Sequence, residues 1–207
     1  DGGHFEKSPM YHAIILEDIL DIINLSNNNS ILPSDFREQL IETAEKMLSW
    51  LNIMSYKNGE TPNFNDNANN ISHNIIDISK YAKRLGIKTF KPIKKNSELT
   101  IKDLNHSGFF RIDQPNVTSF LDIGSIGAPY IAGHAHADTL SFETSFFDQR
   151  FFVNLGVSTY ETSKRRLLER STKSHNTVEI NKKNSSDVWS SFRVGRRAKV
   201  FAINYSN

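Results

Sequence analysis

The hydrophobic positions along the chain repeat with two different periods. Up to about residue 90 they recur every three or four residues, which is the period of an amphipathic helix. Ser8 and Pro9 suit the start of the first such stretch, and Gly86 suits the end of the third. The pattern predicts helices over residues 9–25, from Ser34 to Leu51 and from Ile71 to Leu85.

From about Ser107 onward, hydrophobic positions alternate with polar ones, a period that is typical of strands with one buried face. Turn residues separate the alternating segments. Helices followed by a run of antiparallel strands indicate the α+β class, with a helical part over residues 1–92 and a sheet part over residues 93–207. We predict strands over residues 107–113, 117–124, 140–147, 150–156, 175–181 and 189–205.

Composition excludes several classes of protein. The chain has 207 residues, 38% of them hydrophobic, which is enough for one large domain or two small ones with a packed core. Cysteine is absent, so disulfides and thiolate metal sites are excluded. The net charge of +2 is too small to indicate nucleic-acid binding. No apolar run approaches eighteen residues, so we predict no membrane span.

Positive charge is concentrated near the end of the chain. Lysine and arginine outnumber aspartate and glutamate over residues 164–199. This distribution favours an acidic partner, although a solvated strand face would have the same composition.

The two ends indicate that the chain is part of a longer protein. It starts at Asp1 inside a motif-like segment and stops at Asn207 within a strand-like pattern. We therefore expect a fragment, with a signal peptide upstream and a periplasmic or secreted location.

Two histidines and an aspartate lie within five residues in the segment "GHAHAD". Neutral imidazoles bind zinc and similar cations, so His134 and His136 are candidate ligands and Asp138 could supply an oxygen. His175, before another predicted strand, is a third candidate. Buried structural histidines and turn caps often form the same pattern, so the motif alone leaves both interpretations open.

A second group of chemically active residues lies at the first helix. His4, Glu6, Tyr11 and His12 stand close together in "DGGHFEKSPMYH". A tyrosine acts as a base only when neighbouring cations or a helix dipole lower its pKa. A half-buried tyrosine with a satisfied hydroxyl is the alternative interpretation of Tyr11.

Four segments together resemble the heparinase II/III family of polysaccharide lyases, in the family's order and over essentially the whole chain. They are "DGGHFEKSPMYH", "GETPNFNDNA", "GHAHADTLSFETSFFDQRFFVNLGVSTYE" and "RSTKSHNTVEIN". The resemblance implies an (α/α) toroid followed by an antiparallel β-sandwich. This chain would contain the last toroid helices and the first, incomplete part of the sandwich.

The resemblance also implies an activity, namely β-elimination at a uronic acid of an acidic polysaccharide to give a 4,5-unsaturated uronate. By motif, Tyr11 corresponds to the tyrosine that exchanges the proton with the sugar, and His134 to the histidine that assists. Tyr160 and Arg170, inside the two most specific segments, are predicted to bind substrate. An Asn-His pair that neutralises the substrate carboxylate is expected upstream of Asp1, so the fragment alone should be inactive.

The family's metal, zinc or another divalent ion, would be structural and would be held by His136 and His175. The third ligand of the family is usually an aspartate, and Asn154 stands at its place here. A neutral amide oxygen is a weaker zinc ligand than a carboxylate. We therefore predict at most a weak metal site.

Two other functions remain open at this point. The chain could belong to a non-catalytic glycan-binding or scaffold protein, which Asn154 would suit. It could also belong to a metal-dependent glycan hydrolase, which needs an open coordination position and a metal-bound water. Only a lyase creates the conjugated uronate that absorbs ultraviolet light.

Overall fold

A computed structural model of the protein describes residues 1–29, 32–93 and 98–201. Three helices come first, namely α1 (Pro9–Asn28), α2 (Ser34–Ile53) and α3 (Ile75–Arg84). A five-stranded sheet follows, with β1 (Thr100–Leu104), β2 (Phe109–Gln114), β3 (Val117–Asp122), β4 (Phe142–Phe146) and β5 (Gln149–Phe152). The last elements are α4 (Lys164–Glu169), a 3-10 turn (Thr172–Ser174), β6 (Asp187–Trp189) and β7 (Arg193–Gly195). The predicted α+β class is confirmed.

The helices begin where side chains cap them. Ser8 accepts a hydrogen bond from the backbone N–H of Tyr11, and Pro9 occupies the first turn of α1. Asn74 accepts from the N–H groups of Ile76 and Asp77, which explains why α3 begins at Ile75 rather than at the predicted Ile71. Among the described residues, none of the helices has the length and apolarity needed to cross a membrane.

The sheet is a meander in which each strand pairs with the next in antiparallel order. One face packs on the helices, where Phe109 and Phe120 share a continuous core with Trp50 and Phe64. The five strands form one sheet, and β6 and β7 pair in a separate two-stranded sheet. The β-sandwich therefore stays a prediction, as does the toroid.

Four parts of the strand prediction are wrong. Residues 175–181 form a loop rather than a strand, and Val178 and Ile180 are 77% and 69% exposed. Residues 100–104 form β1, which the strand prediction omits, and residues 164–169 form the unpredicted helix α4. The predicted long strand over 189–205 is interrupted, because its described part contains only Trp189 of β6 and the short β7, and its end beyond residue 201 lies outside the described residues.

The boundary between the two parts falls between the end of α3 at Arg84 and the start of β1 at Thr100. The predicted division at residues 92 and 93 lies in this interval and stays a prediction. The two parts are joined by a buried contact, because the Arg111 guanidinium of β2 donates to the carbonyl oxygens of Ile53 and Ser55, both at 2.8 Å.

Candidate active site at the helix–sheet boundary

Tyr11 and His134, which are distant in sequence, lie in contact. Tyr11 stands in the first turn of α1, and His134 stands in the loop between β3 and β4. Their ring centroids are 4.1 Å apart, and the Tyr11 hydroxyl lies 2.8 Å from the hydroxyl of Tyr160. The expected proximity of Tyr11 and His134 is therefore observed, while their catalytic roles stay predictions.

The aromatic rings of Tyr160 and Phe192 form the exposed wall of this site, and a buried guanidinium lies against them. Tyr160 stacks on Phe192 with a centroid distance of 5.6 Å, and the Arg166 guanidinium lies over both rings. His134 meets both rings edge-on, at 6.1 Å from Tyr160 and 6.0 Å from Phe192. Tyr160 is 37% exposed and Phe192 is 45% exposed, so a ligand can reach these rings.

Tyr160 can act as a hydrogen-bond donor to Tyr11. Burial, together with the hydrogen bond to Tyr11, raises the pKa of Tyr160. Tyr160 therefore keeps its proton and can donate it to the Tyr11 oxygen. A donor at this position orients the Tyr11 hydroxyl.

Asp66 lies beneath the site and contacts both histidines of the "GHAHAD" loop. His134 Nδ1 is 2.9 Å from one carboxylate oxygen, and His136 Nε2 is 2.8 Å from the other. Arg166 donates to both oxygens. Burial alone would raise the pKa of Asp66, but the hydrogen bonds from His134, His136 and Arg166 lower it below its ordinary value. Asp66 is therefore an ionised acceptor.

Sequence reasoning missed Asp66 and Arg166. Asp66 belongs to "GETPNFNDNA", the second of the four family-like segments, and Arg166 to the basic stretch. The family-like segment and the basic stretch were the only sequence features that pointed to these two residues. Neither feature indicated which side chains Asp66 and Arg166 would contact. Asp66 is separated from His134 by 68 residues and from Arg166 by 100.

His136 and His175 converge, as the metal prediction requires. His175 Nδ1 donates to the carbonyl oxygen of Ser171 at 2.8 Å, so its Nε2 carries a lone pair when the ring is neutral. That Nε2 lies 3.1 Å from His136 Nδ1. Burial lowers the pKa of His136, and it lowers the pKa of His175 to about 4, so both rings are neutral near pH 7.

These two rings fit a shared cation. His136 donates to the Asp66 carboxylate through Nε2, so its Nδ1 also carries a lone pair. Two lone pairs 3.1 Å apart repel each other unless a proton or a cation lies between them. Two nitrogens bound to one tetrahedral zinc at about 2.0–2.1 Å would be roughly 3.3 Å apart, which is close to the observed separation.

The third predicted ligand, Asn154, does not complete the site. Its Oδ1 accepts hydrogen bonds from the backbone N–H and the side chain of Asn176, at 2.8 and 3.2 Å. Over residues 1–29, 32–93 and 98–201, no three His, Cys, Asp or Glu side chains are placed to hold a metal together. The described residues thus offer two nitrogen donors, and the Asn154 oxygen is already occupied by Asn176.

Two protein-family models match the chain. The heparinase II/III N-terminus model matches residues 1–88, and the heparinase II/III-like C-terminal model matches residues 97–205. The chain belongs to the heparinase II/III family. The resemblance of the four sequence segments is thereby confirmed.

The individual relatives of this heparinase II/III chain have low sequence identity to it, from 21% to 27%. A heparin-sulfate lyase of Bacteroides stercoris is 27% identical over 196 residues, which cover 89% of this chain and 29% of the relative. The crystal structure of heparinase III is 22% identical with a TM-score of 0.69, over 89% of this chain and 33% of that one. The heparan sulfate lyase HepC from Pedobacter heparinus is 21% identical with a TM-score of 0.63, over 89% and 31%. These structures share the fold, and this chain spans about a third of each relative.

The structure contradicts the prediction that Arg170 binds substrate directly. Its side chain is fully buried, and its guanidinium donates to the carbonyl oxygens of Ala135, Trp189 and Ser190. Burial, with the neighbouring charge of Arg166, lowers the pKa of Arg170 to about 10. In this heparinase II/III chain Arg170 braces the histidine loop from behind. Tyr160, by contrast, lies at the site, as its predicted role requires.

His12 and Asp138, two other sequence candidates, are buried away from solvent. His12 Nε2 donates to the Met47 carbonyl, and its Nδ1 accepts from the backbone N–H of His4. Burial lowers the pKa of His12 to about 3, so it is a neutral structural histidine. Asp138 is 2% exposed, and burial raises its pKa to about 6. Neither residue reaches the exposed wall.

Proposed function

We propose that the protein carrying this chain cleaves an acidic, uronate-containing polysaccharide by β-elimination. The observation that carries the proposal is the contact of the Tyr11 ring with His134, with the Tyr11 hydroxyl hydrogen-bonded to Tyr160. Family membership supports the reaction class. The relatives named heparin-sulfate lyase and heparan sulfate lyase support a glycosaminoglycan as substrate, although this chain spans about a third of their length.

The chemistry requires a group that moves a proton near the substrate's C5 and O4 atoms. Tyr11 is the hydroxyl best placed for this transfer, because Tyr160 can hydrogen-bond to its oxygen while His134 lies against its ring. His134 is 21% exposed, so its edge can contact substrate. Negative charge develops on the uronate carboxylate, which donors outside this chain would neutralise in part.

Substrate recognition would combine the exposed rings with nearby positive charge. Tyr160 and Phe192 present accessible aromatic surface, and the exposed Arg193 follows Phe192 directly in the chain. A polyanionic glycan would be attracted by such cations, and added salt would weaken the attraction. A periplasmic or secreted location, where such polymers are met, stays part of the proposal.

The two alternatives have less support. A metal-dependent hydrolase needs a metal with an open position and several protein ligands, and the described residues offer two histidines without a free third ligand. A binding scaffold would not need a tyrosine whose hydroxyl is hydrogen-bonded to a second tyrosine beside a histidine.

The proposal is tested by ultraviolet absorbance of the intact protein mixed with heparan-type, alginate-type and other uronate glycans. We expect absorbance from the conjugated uronate to grow with at least one of them, and a neutral glycan without uronate to serve as the control. New reducing ends without absorbance would indicate a hydrolase. Binding without any product would indicate a scaffold. Either result would contradict the proposed lyase.

The proposed metal site leads to a further prediction. In the variant Asn154→Asp, one carboxylate oxygen can accept from Asn176, which follows His175 in the chain, while the other replaces Nδ2, which has no described hydrogen-bond partner. We therefore expect the variant to retain zinc after dialysis against a chelator, and the original protein to lose it. Elemental analysis of both proteins measures this difference. Stoichiometric zinc in the dialysed original protein would show that Asn154 does not weaken the site.

A further inference from the structure

Asp66 is the one described side chain that contacts both histidines of the "GHAHAD" loop, and it has no assigned role. We propose that Asp66 is a positioning residue that fixes the ring tautomers of His134 and His136. It leaves Nε2 of His134, which lies 3.9 Å from Glu6 Oε1, and Nδ1 of His136, which faces His175, without a proton. The consequence for catalysis rests on the proposed lyase function, but the tautomers themselves do not.

Each oxygen of the Asp66 carboxylate accepts two hydrogen bonds, so the carboxylate has four donors in all. One oxygen accepts from His136 Nε2 and Arg166 Nη1, and the other from His134 Nδ1 and Arg166 Nη2. An ionised carboxylate can only accept, so each histidine must present an N–H to it. Asp66, His136 and Arg166 are all 0% exposed, so no water competes for these positions.

Arg166 is itself held in place. Its Nε and Nη2 donate to the carbonyl oxygen of Ser191 at 3.1 and 2.9 Å. Its Nη1 and Nη2 donate to the carboxylate of Asp66. The guanidinium is planar and rigid, so it fixes the plane of the carboxylate that it pairs with. The orientation of Asp66 is therefore set before any ligand arrives.

The backbone around Asp66 also holds the histidine loop. The Asp66 N–H donates to the carbonyl oxygen of His134 at 3.0 Å, and Asn65 Oδ1 accepts from the His136 N–H at 3.1 Å. The Ser8 hydroxyl donates to the Asp66 carbonyl oxygen at 2.7 Å, at the cap of the helix that carries Tyr11. One short segment thus aligns the helix of Tyr11 with both histidine rings.

The alternative tautomer would reverse the chemistry of His134. With its proton on Nε2, the ring would direct a lone pair at the Asp66 carboxylate and an N–H toward Glu6, whose Oε1 lies 3.9 Å away. With its proton on Nδ1, the exposed nitrogen is an acceptor that can take up a proton. Asp66 selects the second form because it has no proton to donate.

The tautomers can be measured by NMR, using ring nitrogen shifts of the intact protein labelled at histidine and kept at a pH about two units above the ordinary histidine pKa. We expect His134 protonated on Nδ1 and His136 on Nε2. In Asp66→Asn the amide offers one acceptor and one donor, so it can match only one of the two rings, and the other ring should change its tautomer. Unchanged tautomers in this variant would overturn the proposal.

His12 is the internal control. Its tautomer is set by Met47 and His4, independently of Asp66, so its signal should be the same in a folded Asp66→Asn protein. If the variant fails to fold, the original protein still decides the question. A His134 ring protonated on Nε2 in the original protein would overturn the proposal without any variant.

A kinetic comparison tests the consequence for turnover. We expect Asp66→Asn to lower kcat about 10- to 100-fold with little change in KM, as is typical when a partner that orients a functional histidine is changed. Asp113→Asn is the matched control, because Asp113 is another buried carboxylate paired with an arginine, Arg111, away from the site. An equal loss of kcat in the control would show that Asp66 has only a structural role.

The two proposals fail in different ways. If the original protein produces no unsaturated uronate from any glycan, the lyase function is wrong while the tautomer measurement remains valid. If uronate forms but the His134 tautomer does not depend on Asp66, the lyase function stands and the positioning role is wrong.

Discussion

Replacing Tyr11 by phenylalanine should nearly abolish the formation of 4,5-unsaturated uronate by the intact protein. The substitution keeps the ring that packs 4.1 Å from His134 and removes the hydroxyl that lies 2.8 Å from Tyr160. General acid–base catalysis typically contributes about 10² to 10⁴ in rate, and we expect a loss of that size in kcat. Substrate binding should change little, because the contact area of the ring is retained.

Tyr81→Phe is the matched control for this experiment. Tyr81 also donates its hydroxyl to a neighbour, Asp21 at 2.7 Å, but it lies on α3 in the helical part. The control should keep full activity. Initial rates from ultraviolet absorbance and affinities from calorimetry separate turnover from binding. Full activity of Tyr11→Phe would remove Tyr11 from the mechanism and favour the hydrolase or scaffold interpretation.

The helices were predictable from sequence because each has a long amphipathic pattern. The error in α3 came from Asn74, whose capping hydrogen bonds start the helix four residues later than the hydrophobic pattern suggested. The strands were less predictable. In residues 175–181 the apolar positions alternate as in a strand, but Val178 and Ile180 are exposed, and the described β-pairing there is limited to the isolated bridge of Ile180 to Lys183. Alternation does not reveal whether a partner strand exists.

The reactive residues of the site could be predicted from the sequence, but the residues that hold them in position could not. Tyr11, His134, His136 and His175 were identified by resemblance, and the structure brings them together in two adjacent pairs. Arg170 was assigned wrongly because a basic residue in a motif does not reveal whether its side chain is exposed. Asp66 lies 68 residues from His134 and 100 residues from Arg166 in the sequence, so no local sequence pattern shows that these side chains contact each other.

One such long-range contact joins Arg111 and Asp113 in β2 to the end of α2. The Arg111 guanidinium donates twice to the Asp113 carboxylate, at 2.7 and 3.0 Å, and its Nη1 donates to the carbonyl oxygens of Ile53 and Ser55. Arg111 and Asp113 are only 5% and 1% exposed. Removing one partner of a buried ion pair leaves an uncompensated charge.

Arg111→Met should therefore lower the free energy of unfolding by about 3–5 kcal/mol. Asp113 would keep only its hydrogen bond from Thr118, and the two carbonyl oxygens at the end of α2 would lose a donor. Denaturant unfolding of both proteins under the same conditions measures the difference.

Lys46→Met is the matched control, because Lys46 pairs with Glu42 on the exposed face of α2, where the two side chains are 63% and 68% exposed. An exposed pair of this spacing contributes about 0.3–0.5 kcal/mol, so the control should unfold almost like the original protein. If Arg111→Met were no less stable than Lys46→Met, the buried pair would not hold the helices and the sheet together.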